Sequence, residues 1–234
     1  MEMNDQSTPI ECSSGESTPL EISREETLPP IEFRLPDVEW IRDSAARLKL
    51  WEHQLAPQLH HSPCSITIPR SARPILIIPI KGDGNCFYRT IAFLLCGDEE
   101  QHDTVKGALL PFLLAHPTNF PLNPLERAEL TEPGGYASDV MIHATATFLN
   151  IRIYVYSAAT GGKAVPERWL RFVPIQDLAV GVPANGGIYI NHLNEDHYEL
   201  VLDVSRSLLT STSLKVFGIF FILPFNFIDP AFAR

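Results

Sequence analysis

The chain has 234 residues and a formal net charge of −10, and 45% of its residues are hydrophobic against 20% charged. This composition supports one domain with a sizeable core; it excludes disorder throughout and leaves little room for two full domains. The acidic balance and the lack of any basic run argue against nucleic acid as a direct partner.

Much of the imbalance lies at the start, where residues 1–34 hold eight acids and two bases. Residues 1–38 mix Ser, Thr, Glu and Pro with few aromatics, too little apolar surface to offset the entropy of ordering, so a disordered acidic tail is expected there. The opening MEMNDQSTPIECSSGE has neither the basic start and apolar stretch of a secretory signal nor the arginines of a transit peptide. The four cysteines, Cys12, Cys64, Cys86 and Cys96, form no Cys-x-x-Cys pair. A zinc ribbon is therefore not expected, and the thiols fit a reducing cytoplasmic or nuclear compartment.

Residues 39–71 read as an amphipathic helix and a linker. Trp40, Ile41, Ala45, Leu48, Trp51 and Leu55 recur at spacings of three and four, which predicts a helix over 39–58. His60, His61 and Cys64 follow without a fourth ligand, so a loop rather than a metal site is expected. ILIIPI at 75–80 has the character of a buried strand. The Gly82-Asp83-Gly84-Asn85 cluster is a turn, followed by a helix over 87–95 that Gly97 closes. A second helix is expected over 99–116, kinked or broken at Pro111. Residues 117–135, rich in Pro and Gly, read as loop, and a helix capped by Ser138 covers 138–150.

Four strand-like segments come next, at 151–158, 167–175, 186–193 and 197–204. Helices followed by an antiparallel-leaning sheet make the expected class α+β. The apolar stretch 216–228 would span ~20 Å as a helix, short of a ~30 Å hydrocarbon core, and Pro224 interrupts it. A membrane partner is accordingly disfavoured, with a weak anchor through 216–228 as the alternative.

Reactive residue types concentrate around Cys86 and His197. Cys86 falls where a glycine turn becomes a helix, and the unpaired N–H groups and partial positive charge of a helix start favour the nucleophilic thiolate. Amides of Gly84, Asn85 and Cys86 are candidates to hold a developing oxyanion. A nucleophilic thiol needs a base, and a neutral His197 is a candidate, 111 residues downstream. The imidazole in turn needs an orienting group. Glu199 shares its strand face, while Asn194, Glu195, Asp196 and Asp83 are alternatives. Read without further context, a single Cys is more often a small buried hydrophobe and a single His structural; Cys96, in IAFLLCG, fits that description.

GDGNCFYRTIAFLLCG resembles the nucleophile motif of the ovarian tumour (OTU) family of cysteine proteases, with Asp83, Gly84, Asn85, Cys86 and Arg89 in the matching places. GGYASDVMIHATATFLNIRIYVY resembles the family's central helix–strand block, with Tyr136-Ala137 where the family usually has Trp-Gly. HYELVLDV resembles its last-strand His-aromatic motif. Three blocks in the family's order are far more specific than one tetrapeptide.

The resemblance spans about residues 72–204. It implies a papain-like fold with helices packed on a small, mostly antiparallel sheet. The implied activity is hydrolysis of isopeptide bonds at the C-terminus of ubiquitin, without metal or organic cofactor, by a chain acting as a monomer. It implies Cys86 as nucleophile, His197 as base, Asp83 as an acidic member of the site and Glu199 in the place where some members carry Asp. The alternatives are a non-catalytic ubiquitin-binding module, a protease for a ubiquitin-like modifier, or a membrane-associated regulator. No role is assigned to residues 205–234.

Overall fold

The computed structural model describes residues 30–51, 65–157, 168–194 and 196–205. The expectations placed on the histidines at 60 and 61, on Cys12 and Cys64, and on the 216–228 segment lie outside these residues. Among the described residues no helix is long and apolar enough to cross a membrane, and no cluster of His, Cys, Asp and Glu suits a metal ion.

The first strand, β1 (Ile31–Phe33), pairs antiparallel with β2 (Ile66–Ile68). Ile31, Phe33 and Leu35 are buried, so the tail expected to extend to residue 38 is packed from Ile31 onward. These side chains share one core with residues of the 72–204 segment.

Helix α1 (Val38–Arg47) starts at Asp37, whose carboxylate accepts the Trp40 amide, and buries Trp40, Ile41, Ser44 and Ala45 along one stripe. It stops well short of 58. Lys49 turns left-handed at φ 58°, and the amides of Leu50 and Lys49 fold back onto the Ala45 and Ala46 carbonyls, which closes the helix end.

The main sheet has the order β3 (Pro74–Ile78), β7 (His197–Val204), β6 (Gly187–Leu193), β4 (Arg152–Ser157), β5 (Arg168–Phe172). Its pairings are antiparallel except between β4 and β6, which run parallel. The class is α+β, with a mostly antiparallel sheet as expected.

Both faces of the sheet are covered. Ile153, Val155, Ile188, Ile190 and Leu200 are buried, and α2 (Cys86–Cys96) packs on β7 and α5 (Asp139–Leu149) on β4. Tyr154 stacks on Tyr189, and Tyr189 meets Phe33 and bonds the Glu32 carbonyl, so the N-terminal segment reaches the sheet through these tyrosines.

Helix α2 buries nearly every side chain and ends at Gly97, left-handed at φ 77°. A short 3₁₀ turn (Glu99–Gln101) leads into α3 (His102–Ala115), which continues through Pro111 instead of breaking there. The loop expected over 117–135 contains a further helix, α4 (Pro124–Thr131). Asn123 and Glu126 form a reciprocal capping box around its start, and Pro124 stands at the first helical position, where the missing N–H costs nothing.

Candidate active site

The loop that leads into Cys86 is held by its own side chains. Asp83 accepts from Arg89 Nε and Nη2, the latter at 2.7 Å, and its Oδ1 also accepts the Asn85 amide at 3.1 Å. Arg89, almost fully buried on α2, continues to the Glu99 carbonyl and the Glu100 carboxylate. Gly84 is left-handed at φ +83°, and a side chain there would also collide with the Gly134 carbonyl: a Cβ would lie 2.0 Å from that oxygen. The loop before α2 therefore sits directly on the 134–135 turn.

Through Arg89 and the Asn85 amide, Asp83 clamps the turn that leads into α2. The Asn85 amide, expected among the oxyanion donors, is engaged by that same carboxylate.

The Arg89 guanidinium beside Asp83 holds its carboxyl below the usual carboxylate range, with the Asn85 amide adding to the effect. A carboxyl whose folded-state pKa is depressed adds stability above its unfolded value, near pH 4, and loses it as pH falls through the folded value. Asp83→Asn is therefore expected to flatten this acid limb of a stability–pH profile. At neutral pH it should cost about 1–2 kcal/mol, because buried Arg89 loses one of its two charged partners; thermal melts from pH 2 to 7 check both effects.

Cys86 is the first residue of α2, with 1% exposure. Its Sγ lies 4.0 Å from the carbonyl of Asp196, the residue before His197. Thr90, one turn along, places its hydroxyl between the Cys86 and Tyr198 carbonyls and so ties the helix to β7. Burial pushes the Cys86 thiol up; the amides of Tyr198, Phe87 and Cys86 itself pull the other way without overcoming it. The net direction runs against the thiolate expected at a helix start.

His197 opens β7 beside the same loop. A Cβ on Gly82 would lie 3.5 Å from its Nδ1, so the Nδ1 edge faces the segment leading to Cys86. The opposite edge faces Glu199, with Nε2 3.9 Å from Oε1. The structure thus brings Cys86, His197 and Glu199 to one corner. Of the other orienting candidates, Asn194 adopts φ 53° in the turn between β6 and β7, Asp196 presents its carbonyl to Cys86, and Glu195 lies outside the described residues.

An aromatic wall stands behind this corner. Tyr198 stacks on Tyr136 and on His192, and the Tyr136 hydroxyl meets His192 Nε2 at 2.5 Å. Tyr198 donates to the Ala137 carbonyl. Burial raises the Tyr136 phenol to about 12, so it is neutral at physiological pH. Ser138 stands at the N-cap of α5 as predicted, but its hydroxyl makes no capping bond.

Sequence reading missed His192 and Asn191. Asn191 lies opposite Glu199 across the β6–β7 pair and donates to its Oε2 at 3.0 Å. The available signal was a polar pair inside an otherwise apolar strand, where Asn is disfavoured.

No family model matches the chain, and no curated protein matches it. Among solved structures it is similar to the OTU domain of OTUD1, at 20% identity over 54% of this chain and 85% of that one, with a TM-score of 0.41. It is also similar to the OTU domain protease of Farallon virus, at 22% identity over 56% of this chain and 84% of that one, TM-score 0.42. A third similar structure is the Hazara virus OTU bound to ubiquitin, at 15% identity over 60% of this chain and 91% of that one, TM-score 0.41.

Proposed function

We propose that this chain is a cysteine-type deubiquitinase that hydrolyses isopeptide bonds at the ubiquitin C-terminus. The observation that carries the reading is the meeting of Cys86, at the start of α2, with the Asp196–His197 corner of β7, where the Nε2 edge of the imidazole faces Glu199. The sequence resemblance points to the substrate class, and the reading takes Cys86 on α2 as nucleophile with His197 and Glu199, two apart on β7, as base and orienting carboxylate.

In the proposed reaction His197 takes the Cys86 proton, and the sulfur attacks the carbonyl carbon of the terminal ubiquitin glycine. Glu199 favours the Nε2–H tautomer, which leaves Nδ1 as the basic atom on the side of the nucleophile loop. The tetrahedral oxyanion is met by amides of the turn into α2, with the N–H groups of Gly84 and Cys86 as its donors and that of Asn85 held by Asp83. His197 returns its proton to the leaving lysine amine. Water, deprotonated by the same imidazole, then attacks the thioester and frees the Cys86 thiol with a ubiquitin carboxylate. The long resting distances fit a site that tightens when substrate enters.

The test is covalent capture. Ubiquitin carrying a C-terminal electrophile is expected to give a one-to-one adduct on Cys86, and a ubiquitin-like modifier with the same electrophile a much weaker one. Binding without an adduct on a folded chain would replace the reading with a non-catalytic module; the reverse preference would move the substrate to the related modifier.

A further inference from the structure

We propose that Asn191 is a positioning residue that holds Glu199 in the orientation His197 requires. This inference rests on the reading of Cys86, His197 and Glu199 as the working groups of the site. Glu199 and Asn191 are directly opposed on β7 and β6, so both side chains leave the sheet on the same face as His197. The Asn191 amide donates to Glu199 Oε2 at 3.0 Å, and the other carboxylate oxygen, Oε1, faces His197 Nε2 at 3.9 Å. One oxygen is thus tethered and the other is left for the imidazole.

The tether answers a geometric problem. Glutamate has one more rotatable bond than aspartate, so an untethered Glu199 would sample orientations that miss the imidazole. Asn191 is 8% exposed and follows fully buried Ile190, a strand position where Val or Ile would normally be preferred. A buried amide is tolerated where it is bonded, and here its bond runs to the carboxylate beside His197. His192, the next residue, faces the opposite way onto Tyr198, so the two polar residues of β6 serve different walls.

The experiment is a double-variant cycle on Cys86 reactivity. The rate of alkylation by iodoacetamide at neutral pH is read on the peptide that carries Cys86, in the full chain. Asn191→Ala, and Asn191→Leu, which fills a similar volume without a donor, are each expected to slow alkylation about fivefold, in line with one net hydrogen bond. Glu199→Ala is expected to slow it at least as much, and adding either Asn191 variant to Glu199→Ala to change nothing further.

With a ubiquitin C-terminal amide as substrate, the same loss is expected in kcat with KM unchanged. An equal effect of the Asn191 variants with and without Glu199 would overturn the proposal, as would no effect of Asn191→Leu in a chain that keeps its melting temperature. If the alkylation cycle behaves as expected while the ubiquitin substrate is not turned over, the positioning role stands and the ubiquitin reading falls.

Discussion

Cys86→Ala is expected to leave a folded chain whose turnover of a ubiquitin C-terminal amide falls at least ~10⁴-fold in kcat/KM, with His197→Ala close behind. The two losses should not add, because the base has nothing to activate once the sulfur is gone. A double variant slower than Cys86→Ala by less than about threefold would show the pair acting as one unit. Burial raises the Cys86 thiol, so the His197 effect is expected to be large, with attack dependent on proton removal. Folding is spared because the substitution removes a single sulfur from a helix start whose backbone is otherwise well bonded. Steady-state kinetics beside thermal melts check both halves, and Cys86→Ala retaining a tenth of wild-type turnover would remove Cys86 from the role of nucleophile.

The second large effect is structural in origin and functional in outcome. Gly84→Ala places a methyl 2.0 Å from the Gly134 carbonyl oxygen, and the neighbour that must yield is backbone. The residue is also left-handed, at φ +83°. The strained angle costs about 1–2 kcal/mol, and the forced displacement of two packed loops about 1–3 more. Together these should lower the melting temperature by roughly 10 °C in a body of this size. What yields is the contact that seats the nucleophile loop on the 134–135 turn, so alkylation of Cys86 and turnover should both fall well before the chain unfolds. An unchanged melt with unchanged alkylation would show that the loops slide apart freely.

How much of this was legible in the sequence depended on where each signal resides. Segments with local periodicity came through: α2 with its Gly97 cap, α5, and β7 with its boundaries intact. Helix α4 was missed because Pro and Gly content outweighed the Asn123-Pro124-Leu125-Glu126 capping signature, a local rule that was present and unused. The parallel pairing of β4 with β6 was not legible, since which strand a segment pairs with depends on the whole chain's packing. The same limit hid β1, a three-residue strand whose order comes from Tyr189 and Ile68, both distant in sequence.

Within the site, residue types were readable and assignments were not. Asp83 and Glu199 are both acids near a motif. Only the fold gives one of them to Arg89 and sets the other against the imidazole. Asn191 carried no motif, and its meaning comes from the cross-strand register alone.

The position of β7 has a consequence for how the protein is made. Among the described residues it is the last strand of the sheet in sequence, yet it lies between β3 and β6 and supplies hydrogen-bonding partners to both. Until it inserts, β3 and β6 each present an open edge, and a chain on the ribosome holds two unpaired templates for aggregation. The strand that closes this gap is also the one that delivers His197 to Cys86. Under the proposed mechanism, reactivity toward substrate is expected only in a chain whose sheet is complete.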